Sequence, residues 1–183
     1  DWFKRFPGPI NVKVETSPVS TSPNHEGFLI WSDLFAILGQ LRANGQLPPT
    51  TFVTLLTRTP NEQNWFAVPD PREMRNGFVH FDDFKWITSA PSSAIAAHYT
   101  LKGIFNALLT DAQVPWQGIV HEDARGCLFD FCGDKRELDL KLRTADICAD
   151  CMQVFQSIGI PDSLMQQTTA IMEATRKMAT NTG

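Results

Sequence analysis

The stretch CLFDFC at residues 127–132, followed by CADC at residues 148–151, contains every cysteine of the chain. Four cysteines so close together in a chain of 183 residues predict a local metal site. Four thiolates around one Zn²⁺ form a closed tetrahedral site with no place for water, so such a metal stabilises a fold and does not catalyse. We therefore predict a structural zinc bound by Cys127, Cys132, Cys148 and Cys151.

Three alternatives remain open for these cysteines. They could form two disulfides, pack as small hydrophobic side chains, or provide a redox-active pair at Cys148 and Cys151. His121 lies six residues before Cys127 and could replace one cysteine as a ligand. Because a fourth cysteine is available, we expect His121 to be a surface or hydrogen-bonding residue.

The segment between the two cysteine pairs reads KRELDLKLR at residues 135–143, with leucine at every second position from 138 to 142. This period of two predicts a strand. Cys148 and Cys151 then fall at the start of a predicted helix over residues 149–158, where free N–H groups favour thiolates. A cysteine-bearing turn, a strand or hairpin and a helix together resemble a treble-clef zinc finger, here at about residues 121–158.

The rest of the chain predicts an α+β fold, a small mixed sheet with packed helices in a single domain over residues 1–183. Apolar residues at helical spacing predict a helix over 33–43 capped by Ser32, a long helix over 91–109 and a last helix after Pro161. Short β-rich runs bounded by turn residues predict strands. They lie at residues 10–14, 51–57, 64–68 and 77–81.

Composition excludes several classes of protein. A hydrophobic fraction of 43% is typical of a globular domain, and no apolar run approaches the roughly 18 to 20 residues that span a bilayer. The net charge is −4, and residues 121–151 hold five Lys or Arg against eight Asp or Glu, which argues against nucleic-acid binding. Without an export signal, we expect a soluble, cytoplasmic protein that binds no membrane.

The spacing Cys-x-x-x-x-Cys…Cys-x-x-Cys after a long helix resembles the archaemetzincin group of zinc peptidases. In that family a catalytic His-Glu-x-x-His helix precedes four cysteines that bind a structural zinc. Here the long helix reads His98-Tyr-Thr-Leu-Lys102, so Tyr99 replaces the general-base glutamate and Lys102 replaces the second histidine. The resemblance therefore implies a pseudoenzyme in which only the structural cysteines carry over.

A second metal site is the alternative. His80, Asp82 and Asp83 lie together at a strand end, and with His98 or His121 they could hold a catalytic metal. The simpler interpretation is that the two aspartates cap a turn and that His98, on an apolar helix face, is a core residue. We thus expect a zinc-stabilised binding or regulatory domain that contacts a protein partner. The other hypothesis is a divergent, peptidase-like metal-dependent hydrolase.

Overall fold

The computed structural model describes residues 2–15 and 19–181; the side chains of Trp2, Asp82 and Asp83 lie outside this description. In these residues one α-helix is followed by three strands and then by four α-helices. The helices are α1 (Trp31–Asn44), α2 (Ser92–Asp111), α3 (Glu137–Thr144), α4 (Ala149–Ser157) and α5 (Asp162–Thr180). The strands are β1 (Val53–Thr57), β2 (Ala67–Asp70) and β3 (Glu73–His80). The predicted α+β class is confirmed.

The three strands form a mixed sheet in the order β1-β3-β2. β3 pairs with β1 in parallel and with β2 in an antiparallel hairpin. Leu29, Leu34, Leu38 and Phe78 are almost completely buried where α1 packs against this sheet. The strands predicted at residues 51–57, 64–68 and 77–81 and helix α1 are therefore confirmed, with boundaries shifted by a few residues. The predicted N-cap is wrong, because α1 begins at Trp31 and Ser32 lies inside its first turn. The N–H of Trp31 donates instead to Glu62 Oε1 at 2.9 Å.

Helix α2 is the central element of the fold. One of its faces, with Ala97, Leu101 and Phe105, packs against the cysteine region, α4 and α5. Another face, with Ile95 and Tyr99, packs against α3 and the turn after β3. Because α2 is buried on several sides, it holds the sheet and the cysteine region in one arrangement.

The strand predicted over residues 135–143 is wrong, because this segment forms helix α3. Leu138 and Leu142 are one helical turn apart and fully buried, whereas Leu140 between them is 47% exposed. Lys141 is buried as well, next to Leu142. Leucines at positions 138, 140 and 142 fit a strand in the sequence, but burial follows the helical i, i+4 spacing.

The strand predicted over residues 10–14 is also wrong, because the segment is irregular. The side-chain amide of Gln167 on α5 takes the place of a strand partner. Its oxygen accepts the Ile10 N–H at 2.7 Å, and its nitrogen donates to the carbonyls of Phe6 and Ile10. A single buried side chain thus satisfies the backbone groups that a sheet would have paired.

Within residues 2–15 and 19–181, the helices are all too short or too polar to cross a bilayer.

Candidate metal centre

Four side chains converge between α2, α4 and the preceding loop: His121, Cys127, Cys148 and Cys151. Their ligand atoms all lie within 4.8 Å of one another. Cys127 and Cys151 have exposures of only 2% and 1%, and His121 is 8% exposed. In the described part of the chain, this is the one group of three or more His, Cys, Asp or Glu residues arranged to hold a metal ion.

Three distances within this Cys3His group are close to those of a tetrahedral metal site. Zn–S bonds of about 2.3 Å at tetrahedral angles place two sulfurs about 3.8 Å apart. The sulfurs of Cys127 and Cys151 are 3.8 Å apart. His121 Nε2 lies 3.2 Å from Cys148 Sγ and 3.3 Å from Cys151 Sγ, slightly less than the roughly 3.6 Å that Zn–N and Zn–S bonds would give.

The loop that carries Cys127 is held by the carboxylate of Asp130. Its Oδ2 accepts the backbone N–H groups of Arg125, Gly126 and Cys127 at 2.8, 2.7 and 3.0 Å. Gly126 has φ +82°, and a Cβ there would lie 2.3 Å from the Thr144 side chain. A carboxylate that accepts three amides, together with a glycine in the left-handed region, fixes the direction of the Cys127 side chain.

His121 reaches the group through a short stretch of strand-like pairing. Its N–H donates to the Phe129 carbonyl at 3.2 Å, and its own carbonyl accepts the Phe131 N–H at 2.9 Å. Cys127 pairs in a similar way with Asp146, whose carbonyl accepts the Leu128 N–H at 2.8 Å. These isolated bridges bring three separate segments of chain to one point.

The last two ligands come from the start of α4. Cys148 is the N-cap residue and Cys151 lies in the first turn, so both sulfurs lie near the amide end of the helix dipole. The N–H of Cys148 points at Cys127 Sγ at 3.4 Å. A hydrogen bond from Cys151 and backbone N–H donors together lower the pKa of Cys127 to about 5, whereas the bond to Cys127 and burial raise the pKa of Cys151. Cys127 is therefore ready to bind a cation as thiolate.

The predicted ligand Cys132 does not belong to this group. It lies at the end of the loop with φ +55°, near Lys102 and Lys141, and burial raises the pKa of its thiol. The structure thus groups His121, instead of Cys132, with the other three cysteines. We expected a surface or hydrogen-bonding residue at this position; His121 is buried, with its Nε2 within hydrogen-bonding distance of two cysteine sulfurs. The sequence does contain a signal for His121, since histidine is, beside cysteine, a usual ligand of structural zinc sites and His121 lies near the cysteines in the chain.

The structure also bears on the alternatives for the cysteines. All four are free, so the two-disulfide alternative is not what the chain adopts. Cys148 and Cys151 lie at the start of α4, and the sulfur of each is within 3.3 Å of His121 Nε2. The arrangement favours a shared cation over a disulfide.

The other predicted metal ligands do not assemble among the described side chains. His80 at the end of β3 and His98 on α2 are both 1% exposed, and neither is part of a metal-binding group. Burial, together with the nearby Lys141 and Lys102, holds the pKa of His98 well below its usual range. His98 is therefore a neutral core residue. Asp82 and Asp83 lie on a short 3-10 helix, with side chains outside the described set.

Comparison with known proteins adds no relative, since no family model, no curated protein and no solved structure matches this chain.

Proposed function

We propose that the Cys3His group holds a structural Zn²⁺ and that the chain is a zinc-stabilised binding domain acting through contacts with another protein. The geometry of the group carries this proposal. Three sulfurs and one imidazole nitrogen complete a tetrahedral zinc site, which leaves no position for a reactive water. A metal in such a site fastens α4 to the loop of Cys127 and to His121.

The zinc site retains one treble-clef feature. Its last two ligands come from the first turn of a helix, α4, and its other ligands come from a preceding loop. Helix α3 replaces the hairpin of that motif. The archaemetzincin resemblance adds the proposal that the domain is a catalytically inactive relative of those peptidases.

An exposed aromatic surface beside the zinc loop supports the proposed protein contact. We define it by Trp31, Trp65 and Phe131. Trp65 contacts Trp31 at 5.6 Å and Phe131 at 5.8 Å between ring centroids, in edge-to-face geometry. Trp65 and Phe131 are 44% and 51% exposed. Large aromatic side chains are enriched in the centres of protein interfaces, where they supply most of the binding energy.

The aromatic surface also depends on the zinc loop. Phe131 follows Asp130, whose carboxylate holds the backbone next to Cys127. Metal loss would therefore release Phe131 from its position beside Trp65. This link explains why a binding domain of this kind would need a metal.

The test compares partner capture by the wild-type chain, by a Trp65→Ser, Phe131→Ser variant and by a Leu56→Ser control. Leu56 on β1 is 51% exposed, like Phe131, but lies outside the aromatic surface. We expect the double variant to lose the proteins captured by wild type, the control to retain them, and a zinc chelator to act like the double variant. Capture that is unchanged in the double variant and after chelation would contradict the proposal.

A further inference from the structure

A pocket lies between the long helix α2 and the sheet, and its lining shares no residue with the Cys3His group or with the aromatic surface. Its volume is about 70 Å³. Thr100, Gly103 and Asn106 line it from α2, and Thr54 and Val79 line it from the sheet. Thr54 is exposed, so the pocket opens to solvent beside β1.

The side-chain amide of Asn106 is buried in the wall of this pocket. Asn106 is only 5% exposed, and its Oδ1 has no hydrogen-bond partner among the described residues. Nearly all buried side-chain amides in folded proteins are hydrogen-bonded, because an unpaired acceptor has lost its hydration without a replacement. Leucine or alanine would fill this helical position without that cost. Asn106 therefore offers a free acceptor to a bound group.

A free donor lines the same pocket. Arg75 on β3 belongs to the lining, and its Nε is buried with no partner in the described part of the chain. The Nη1 and Nη2 groups of Arg75 both donate to the carboxylate of Asp111, so the charge of this guanidinium is already balanced. The guanidinium therefore offers the pocket one N–H group without a free positive charge.

The charges around the pocket favour a neutral ligand. Lys102 lines the pocket as well, but its Nζ donates to the backbone carbonyl of Asp130 at 3.1 Å and is engaged there. Arg75 is engaged by Asp111. With both cations occupied, an acid would lose its hydration without gaining a charge partner, whereas a neutral polar group has less hydration to lose.

A glycine in α2 leaves room for such a ligand. Gly103 lies in the middle of α2, where glycine is unfavourable relative to alanine. A Cβ at position 103 would meet no heavy atom within 4 Å, so packing against the rest of the chain does not require the glycine. Because Gly103 lines the pocket, the absence of a side chain there widens it.

We propose that this pocket binds the primary carboxamide of a small neutral molecule. The amide nitrogen of the ligand donates to Asn106 Oδ1, and the carbonyl oxygen of the ligand accepts the N–H of Arg75 Nε. A carboxamide is a neutral group with a donor and an acceptor side by side, so one such group satisfies both of these buried atoms. The carbon chain of the ligand packs against the apolar side chains of Met74 and Val79.

The experiment titrates the folded wild-type protein with butyramide and follows its backbone amides by NMR. N,N-dimethylbutyramide lacks the N–H donors and butyrate replaces the amide by an anion, so both compounds are matched controls. We expect saturable shifts at Arg75, Gly103 and Asn106, and a Kd for butyramide at least about tenfold lower than for either control, since each control leaves a buried group unpaired. Equal affinity for all three compounds, or no saturable shift at these residues with butyramide, would overturn the proposal.

Two helical glycines provide a matched pair of variants. Gly103→Ala places a Cβ in the pocket, whereas Gly39→Ala places one in open space on α1, outside the pocket lining. Both should raise Tm, but only Gly103→Ala should weaken butyramide binding, by about tenfold or more. Asn106→Leu keeps the approximate size of the side chain and removes the acceptor, and we expect the same loss of binding without a lower Tm. Unchanged binding in the folded Gly103→Ala and Asn106→Leu variants would show that butyramide binds elsewhere and that the proposal is wrong.

Discussion

Replacing His121 tests the proposed zinc site at the position where the structure differs from the prediction made from the sequence. We compare His121→Ala with Cys132→Ser and with His121→Cys. The structure puts His121 Nε2 within 3.3 Å of two cysteine sulfurs and leaves Cys132 outside the group. His121→Ala should therefore weaken zinc binding, Cys132→Ser should not, and His121→Cys should restore four ligands.

The magnitude follows from the free energy of a structural zinc. Such sites bind with about 10–16 kcal/mol at neutral pH. These values refer to 1 M zinc. At about 1 µM free zinc the binding free energy is smaller by about 8 kcal/mol, so zinc would stabilise the folded protein by about 2–8 kcal/mol. Changes in residues that merely hydrogen-bond to a ligand cost 10- to 100-fold in affinity, so loss of the ligand itself should cost more than about 100-fold, or about 2.8 kcal/mol.

Thermal melting and chelator competition measure this effect. For a domain of this size each kcal/mol shifts Tm by about 2–4 °C. At a zinc concentration that saturates the wild-type protein, His121→Ala should therefore melt about 6–11 °C below wild type. Elemental analysis after dialysis against a chelator should find one zinc in wild type, in Cys132→Ser and in His121→Cys, and less in His121→Ala. Full zinc retention by His121→Ala together with loss from Cys132→Ser would refute the Cys3His assignment and favour the four-cysteine set.

Three further experiments test the surrounding structure. Asp130→Ala leaves three amides without the carboxylate that accepts them, and we expect a loss of about 3 kcal/mol or more in the free energy of unfolding by urea, with weaker zinc binding. Gly126→Ala should strongly destabilise the folded protein, because its Cβ would lie 2.3 Å from the Thr144 side chain, whereas Gly103→Ala, in open space on α2, should stabilise it by about 1 kcal/mol. Equal effects of the two substitutions on Tm would show that the loop geometry is wrong. Leu142→Ala should cost about 2–5 kcal/mol and Leu140→Ala little, since only Leu142 is buried; the same loss at both positions in denaturant melts would favour a strand over α3.

Local patterns in the sequence were sufficient for much of the fold. Helices α1, α2 and α5 and the three strands follow from periodic apolar residues and from Pro, Gly and Asn at their ends. Most of these elements bury the face that their own sequence marks as apolar, but Leu56 on β1 and Leu41 on α1 are exposed. The position of α4 at the second cysteine pair follows in the same way, and so does a cluster of metal-ligating side chains in this region.

The sequence alone determined that cysteines gather near the start of α4; only the tertiary structure decided which residues complete the group. The alternating leucines of residues 138–142 fit a strand and a helix equally well until Leu138 and Leu142 have a core to enter. Likewise, Cys132 lies in the cysteine-rich stretch, but the turn around Asp130 places it near Lys102 and Lys141. Backbone hydrogen bonds to Phe129 and Phe131 bring His121 to the sulfurs instead. Proximity in space depends on how loops close over a core, and residue spacing in the sequence does not contain that information.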